Sequence, residues 1–183
     1  MSQYNRIQVI GCGGAGKSTL AKSLGNLLDI EVYHLDTLFW LPNWQESSME
    51  DFRQKVDGIL EKAQWIMDGN YGATMRRRVE HSDLVIYLDF PTLTCLTGAI
   101  VRRFVYHNKS RPDMTEGNYE RLEWQFVKWV LTYRRLRRPV ILAMLNELPA
   151  HCEVVILKSR REVAEFLSRL EEAEKPKRSE QKL

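Results

Sequence analysis

Eight residues near the N-terminus have the types and spacing to hold a polyphosphate. Gly11-Cys12-Gly13-Gly14-Ala15-Gly16-Lys17-Ser18 matches G-x-x-x-x-G-K-[ST] at every fixed position. Glycines let successive backbone N–H groups turn inward around phosphate oxygens, and a helix starting behind them adds the positive end of its dipole. In this pattern the lysine reaches the β- and γ-phosphates and the hydroxyl is placed to ligate Mg²⁺. The expected nucleotide-binding set is Gly11, Gly13, Gly14, Ala15, Gly16, Lys17, Ser18 and Thr19. ATP and Mg²⁺ are the implied cofactors.

Two features bear on how the triphosphate is used. A guanine reader of the N-K-x-D type is begun by Asn108-Lys109-Ser110 but ends in Arg111. A glutamate to activate water follows neither Asp68 nor Asp89; the next residues are Gly69 and Phe90. Transfer of the γ-phosphoryl group to a bound acceptor therefore fits better than hydrolysis. Such transfer needs charge neutralisation and positioning more than covalent chemistry.

Charge and positioning have candidates along the chain. Between Arg102 and Arg138 stand ten basic residues against four acidic ones, a local balance of +6. Arginines on a mobile flap supply charge when substrate is bound and exclude water as they close, a role for Arg103 and Arg111. The cluster Arg134, Arg135, Arg137 and Arg138 would also complement a helix C-terminus without any ligand. Asp36 has the chemistry to orient or deprotonate an acceptor hydroxyl, and Asp68 to hold Mg²⁺ through water; both are also good turn or cap residues. Asp89 precedes a proline turn and reads as its cap. Phe39, Trp40 and Trp44 fit stacking on a planar or apolar acceptor and, equally, packing that pins the next helix.

The elements that must position these groups follow from the hydrophobic pattern. Ile7 to Ile10 is a short β-branched run that stops at the glycine cluster, and Leu20, Ala21, Leu24, Leu27 and Leu28 then recur at helical spacing. Glu31 to Leu35 reads as a second strand ending at Asp36. Ser47 and Glu50 fit a capping box ahead of a helix carrying Phe52, Val56, Ile59, Leu60 and Ala63. Trp65 to Met67 and Leu84 to Leu88 are further strands, ending at Asp68 and Asp89. A helix from about 92 to 106 is expected to bury Leu96, Ala99, Ile100 and Phe104. After a polar loop, a second carries Leu122, Phe126, Trp129, Val130, Tyr133 and Leu136. Val154 to Leu157 and a helix with Val163, Phe166, Leu167 and Leu170 close the pattern. Short strands alternating with helices imply an α/β fold with a largely parallel sheet, whose ligands bind at the carboxyl ends of the strands.

The rest of the composition sets limits. At 183 residues, 44% hydrophobic and 28% charged, the chain suits one globular domain, and a net charge of +3 makes it no polyanion-binding tail. No apolar run approaches the roughly 20 residues needed to span a bilayer. No basic stretch followed by an apolar one marks a signal peptide. Cys12, Cys95 and Cys152 form no disulfide framework or metal spacing and read as reduced thiols of a cytoplasmic protein.

Several segments taken together resemble one family. They are the glycine loop, His34-Leu35-Asp36-Thr37-Leu38-Phe39-Trp40, Trp65-Ile66-Met67-Asp68-Gly69-Asn70-Tyr71, Leu88-Asp89-Phe90-Pro91, and Arg111-Pro112-Asp113-Met114 with Glu116. The chain, over about residues 5 to 170, is similar to the bacterial proteins named DNA topology modulation proteins, relatives of adenylate kinase and shikimate kinase. The resemblance implies a three-layer P-loop fold of the nucleoside monophosphate kinase kind, with a five-stranded parallel sheet in the order 2-3-1-4-5 and a short helical lid. It implies an acceptor-binding region at 37–62 and a lid tip at 107–118, with Arg103, Arg111 and Arg134 as candidates to contact the nucleotide and the transferred phosphate. Asp68 falls where adenylate kinases carry the aspartate of an Asp-Gly-Phe-Pro-Arg segment. Here the segment is Asp68-Gly69-Asn70-Tyr71-Gly72, without the arginine that would grip a monophosphate, although Arg76, Arg77 and Arg78 follow.

The expectation is one kinase-like domain over 1–173 with a charged, disordered tail over 174–183. Its function would be phosphoryl transfer from ATP to a small acceptor, possible acceptors including nucleotides and nucleosides. Lys17, Asp36, Arg103 and Arg111 would be catalytic, Arg103 and Arg134 would join the nucleotide set, and Ser18 and Asp68 would hold the metal. The alternative that the family name raises is a DNA-associated ATPase, for which Arg76–Arg78 would help form a phosphate-tracking surface.

Overall fold

A computed structural model describes residues 4–107, 113–119 and 123–180, with 176–180 as backbone only. The order of elements is β1 (Arg6–Gly11), α1 (Lys17–Leu28), β2 (Val32–His34), α2 (Leu35–Phe39), β3 (Trp40–Leu41), a 3₁₀ turn (Pro42–Trp44), β4 (Gln45–Glu46), α3 (Met49–Leu60), β5 (Trp65–Asp68), α4 (Gly72–Glu80), β6 (Leu84–Leu88), α5 (Thr92–Val105), α6 (Trp124–Leu136), α7 (Arg138–Asn146), β7 (Glu153–Leu157) and α8 (Arg160–Glu180). Five strands form one parallel sheet in the order β2-β5-β1-β6-β7. With the small antiparallel hairpin β3–β4 set aside, that order is the expected 2-3-1-4-5.

Central strands of a parallel sheet are covered on both faces, so their side chains are apolar almost without interruption. Accordingly Ile7, Val9, Ile10, Leu84, Val85, Ile86 and Tyr87 are wholly buried, and helices α1, α5, α6 and α8 contribute Leu20, Cys95, Val130 and Phe166 to the same core. A second core forms where Leu35 and Phe39 of α2 meet Phe52, Val56 and Ile59 of α3 and Trp65 and Met67 of β5. Among the described residues no helix is long and apolar enough to cross a membrane.

Several boundaries differ from the sequence pattern. Asp36 does not end a strand: β2 stops at His34, and Asp36 sits in the first turn of α2. The cap of α3 is Ser48 rather than Ser47, its side chain accepting from Asp51 N–H at 3.0 Å. On α5 the buried positions are Cys95 and Ala99, while Phe104 is 77% exposed. Helix α8 extends to Glu180, over much of the segment expected as a tail. Glu174 is buried, and Lys175 pairs with Glu171 one turn back at 3.7 Å. Helix α4 carries a short mixed pattern, and α7 is an apolar run from Val140 to Leu145 that the strand-and-helix pattern above leaves out.

Candidate active site

The glycine loop links β1 to α1 and takes the shape its composition permits. Gly14 and Gly16 have φ of 80° and 93°, in the left-handed region that disfavours side chains. Gly14 also has no space for one: an added Cβ would lie 2.1 Å from the carbonyl oxygen of Cys95 on α5. Gly98 is its counterpart, since a Cβ there would lie 2.1 Å from the Gly14 carbonyl oxygen. Loop and helix thus touch backbone to backbone. Across the loop, the Asn70 side chain accepts from Gly11 N–H at 3.1 Å and donates to Gly11 C=O at 2.9 Å. Lys17 Nζ donates to the Cys12 carbonyl at 3.2 Å, folded over the loop it would serve.

Strand pairing brings Asp68 to this loop, because β5 lies beside β1 with Val9 opposite Asp68. Ser18 Oγ donates to Asp68 Oδ2 at 2.7 Å, and the other carboxylate oxygen is held by His34 Nδ1. Two hard oxygen donors side by side suit Mg²⁺, which binds through one or two carboxylates together with substrate phosphates rather than in a protein cage. Among the described residues no group of three or more His, Cys, Asp or Glu forms such a cage. When bound, the ion would supply charge neutralisation at the phosphates.

The turn after β5 is locked from below. Arg78 is fully buried, donating to the carbonyls of Gly69 (3.2 Å), Asn70 (2.7 Å) and Tyr71 (3.3 Å), to Gln8 Oε1 (2.6 Å) and to Thr74 Oγ1 (3.0 Å). Burial lowers its pKa, and the nearby Asp68 opposes that shift. The turn in turn places Tyr71, whose hydroxyl donates to Asp36 Oδ1 at 2.7 Å. Burial, with Asp36 alongside, pushes the Tyr71 phenol up, so it stays protonated and a donor.

Two cavities meet at the loop. One of about 560 Å³ opens between Asp36, Asp68 to Tyr71, Trp40 and Trp44 on one side and Phe126 and Trp129 of α6 on the other. The second, about 510 Å³, runs over Gly14, Gly16, Thr19, Gly98, Tyr106 and Arg160. Lys17, Ser18 and Arg102 line both. Arg102 also lies over the Phe126 ring, 5.4 Å from its centroid.

The predicted arginines distribute unevenly. Arg103 lines neither cavity; it is turned outward with Nη1 2.6 Å from His107 Nδ1, and its neighbour Arg102 occupies the boundary instead. Arg134 is exposed in the last turn of α6, outside both linings. Arg111 lies outside the described residues. Asp89, read as the cap of the proline turn, has a buried carboxylate whose two oxygens each accept from Arg138 Nε at 2.9 Å. Sequence reasoning did not single out Arg102, Asn70, Gly98 or Arg160. For Arg102 a signal existed, since it continues the face of Cys95 and Ala99 at i, i+4, i+7.

The chain matches no protein-family model, and no curated protein matches it in sequence. Its structure is similar to the shikimate kinase of Acinetobacter baumannii in complex with shikimate, with a TM-score of 0.59 and 17% identity over 92% of each chain. It is also similar to the shikimate kinase of Bacteroides thetaiotaomicron, with a TM-score of 0.53 and 15% identity over 93% of this chain and 98% of that one. At such identities the likeness is one of fold. The chain has the P-loop kinase fold.

Proposed function

We propose that the protein is an ATP- and Mg²⁺-dependent phosphotransferase that moves the γ-phosphoryl group to a small acceptor. The observation that carries this reading is the shared boundary of the two cavities, where Lys17, Ser18 and Arg102 face both. A nucleotide in the smaller cavity would place its terminal phosphate there, within reach of an acceptor in the larger one. Lys17 would leave the Cys12 carbonyl for the phosphates, and Arg102 would neutralise charge developing on the transferring group. Asp36, held by Tyr71, would orient the acceptor hydroxyl and take its proton. Arg111 would approach from the lid, and Ser18 and Asp68 would hold the metal. Three free, buried cysteines suit a reducing compartment such as the cytoplasm.

The alternative of a DNA-associated ATPase finds no support in the arginine run. Arg78 is buried, Arg76 pairs with Glu80 and Glu147, and Arg77 pairs with Asp57.

The test is acceptor-dependent ADP release from Mg·ATP across nucleosides, nucleotides and hydroxylated metabolites. Lys17→Ala is expected to lower it by at least about 100-fold with the fold intact by circular dichroism; undiminished turnover would refute the assignment. Asp36→Asn is expected to lower acceptor-dependent kcat by about 100-fold while ATP affinity is unchanged. Equal losses in both would make Asp36 structural.

A further inference from the structure

The Asp68 carboxylate is gripped from two directions. From the glycine loop Ser18 Oγ donates to Oδ2 at 2.7 Å, and from β2 His34 Nδ1 meets Oδ1. A carboxylate only accepts, so the imidazole nitrogen carries the proton of that second bond. Among the described residues these two side chains are the donors to the carboxylate.

The histidine contact is built into the sheet. Strands β2 and β5 run parallel with His34 opposite Asp68, and residues paired across neighbouring strands send their side chains to the same face. His34 is also the residue on which α2 begins, and its carbonyl accepts from Thr37 Oγ1 at 2.7 Å. A strand ladder on one side and a helix turn on the other thereby fix the backbone at position 34.

Both side chains are nearly dry, His34 11% and Asp68 5% exposed. Water competes little in such a place, and a hydrogen bond to a charged acceptor is among the stronger ones a protein makes. With Oδ1 occupied from behind, the carboxylate cannot turn about its own axis, and Oδ2 faces Ser18 in one orientation. Groups that hold a metal-binding carboxylate from behind set both its direction and its affinity.

On the reading that Ser18 and Asp68 hold Mg²⁺, we propose that His34 is a positioning residue for the metal, pinning Asp68 Oδ1 so that Oδ2 is presented beside Ser18. His34 lines neither cavity, so it acts through Asp68 and not on the substrates.

The probe is Mn²⁺, followed by its electron paramagnetic resonance signal with Mg²⁺ as competitor, binding to the ADP complex of the full chain. His34→Leu, which removes the donor, is expected to weaken Mn²⁺ binding about tenfold. His34→Asn returns an N–H donor at the position of Nδ1 and should stay within about threefold of wild type. ADP affinity measured in EDTA should be unchanged in both variants, a split that a merely structural role would not produce. Asp68→Ala sets the scale, with an expected loss of at least about tenfold.

Unchanged Mn²⁺ affinity in His34→Leu, beside a loss in Asp68→Ala, would overturn the proposal and leave the metal reading standing. A loss in His34→Asn as large as in His34→Leu would overturn it too, since the donor would not be what matters. So would an equal loss of metal-free ADP binding, which would make His34 a support of the loop. Unchanged Mn²⁺ affinity in Asp68→Ala would remove the metal reading of Asp68 and this proposal with it, whereas acceptor-dependent ADP release would still decide the kinase.

Discussion

The glycine-loop side and the hairpin side of the candidate site are built on different foundations. On the glycine-loop side the loop continues β1, Asp68 ends β5, and the carbonyls of the turn after Asp68 rest on a buried arginine. On the hairpin side, β3 and β4 have two residues each, and Leu41 to Asn43, Gln45 and Glu46 are exposed. Side chains from residues 115 and 118 hold that hairpin, not a strand ladder of the main sheet. Reaction geometry at a transferring phosphate tolerates little displacement, so it belongs on rigid elements. A wall that admits and releases an acceptor needs less.

That contrast is open to breakage by substitution, beginning where the loss should be greatest. Arg78→Met keeps the bulk but strips donors from three turn carbonyls and Gln8, and it is expected to lower stability by about 3–5 kcal/mol in urea denaturation. A loss within experimental error would mean that the glycine-loop side does not depend on its buried support. Gly98→Val is next. A side chain aimed at the Gly14 carbonyl must push loop and helix apart, costing about 1–3 kcal/mol and, in equilibrium dialysis, most of the ATP binding. Normal ATP affinity in that variant would show that the loop does not need its contact with α5. Ser48→Ala sharpens the comparison from the other side. It removes the cap of α3 and should cost about 1 kcal/mol in the same denaturation, with ATP affinity unmoved. If it cost as much as Arg78→Met, the two sides would be one cooperative unit.

Much of this was legible before any coordinates. The strand, loop, helix opening and the five strands follow from hydrophobic period and motif context, whereas the strand order that sets Asp68 beside the loop was implied only by the resemblance. The acceptor region was legible in composition only: Phe39, Trp40 and Trp44 read equally as packing or as a binding surface. The structure divides them, burying Phe39 against Phe52 in the second core and placing Trp40 and Trp44 on the cavity.

The phosphate loop was determined by the sequence alone because its ligands are backbone N–H groups of consecutive residues, so spacing and glycine content specify it locally. Which arginine lines the two cavities was not. Leu96, Ile100 and Phe104 form as regular a stripe as Cys95, Ala99 and Arg102, and the first stripe points to Arg103. Only the tertiary structure chose between them: Gly14 meets α5 at Cys95 and Ala99. A helix turns 100° per residue, so that one contact rotates Arg102 into the site and Arg103 out of it.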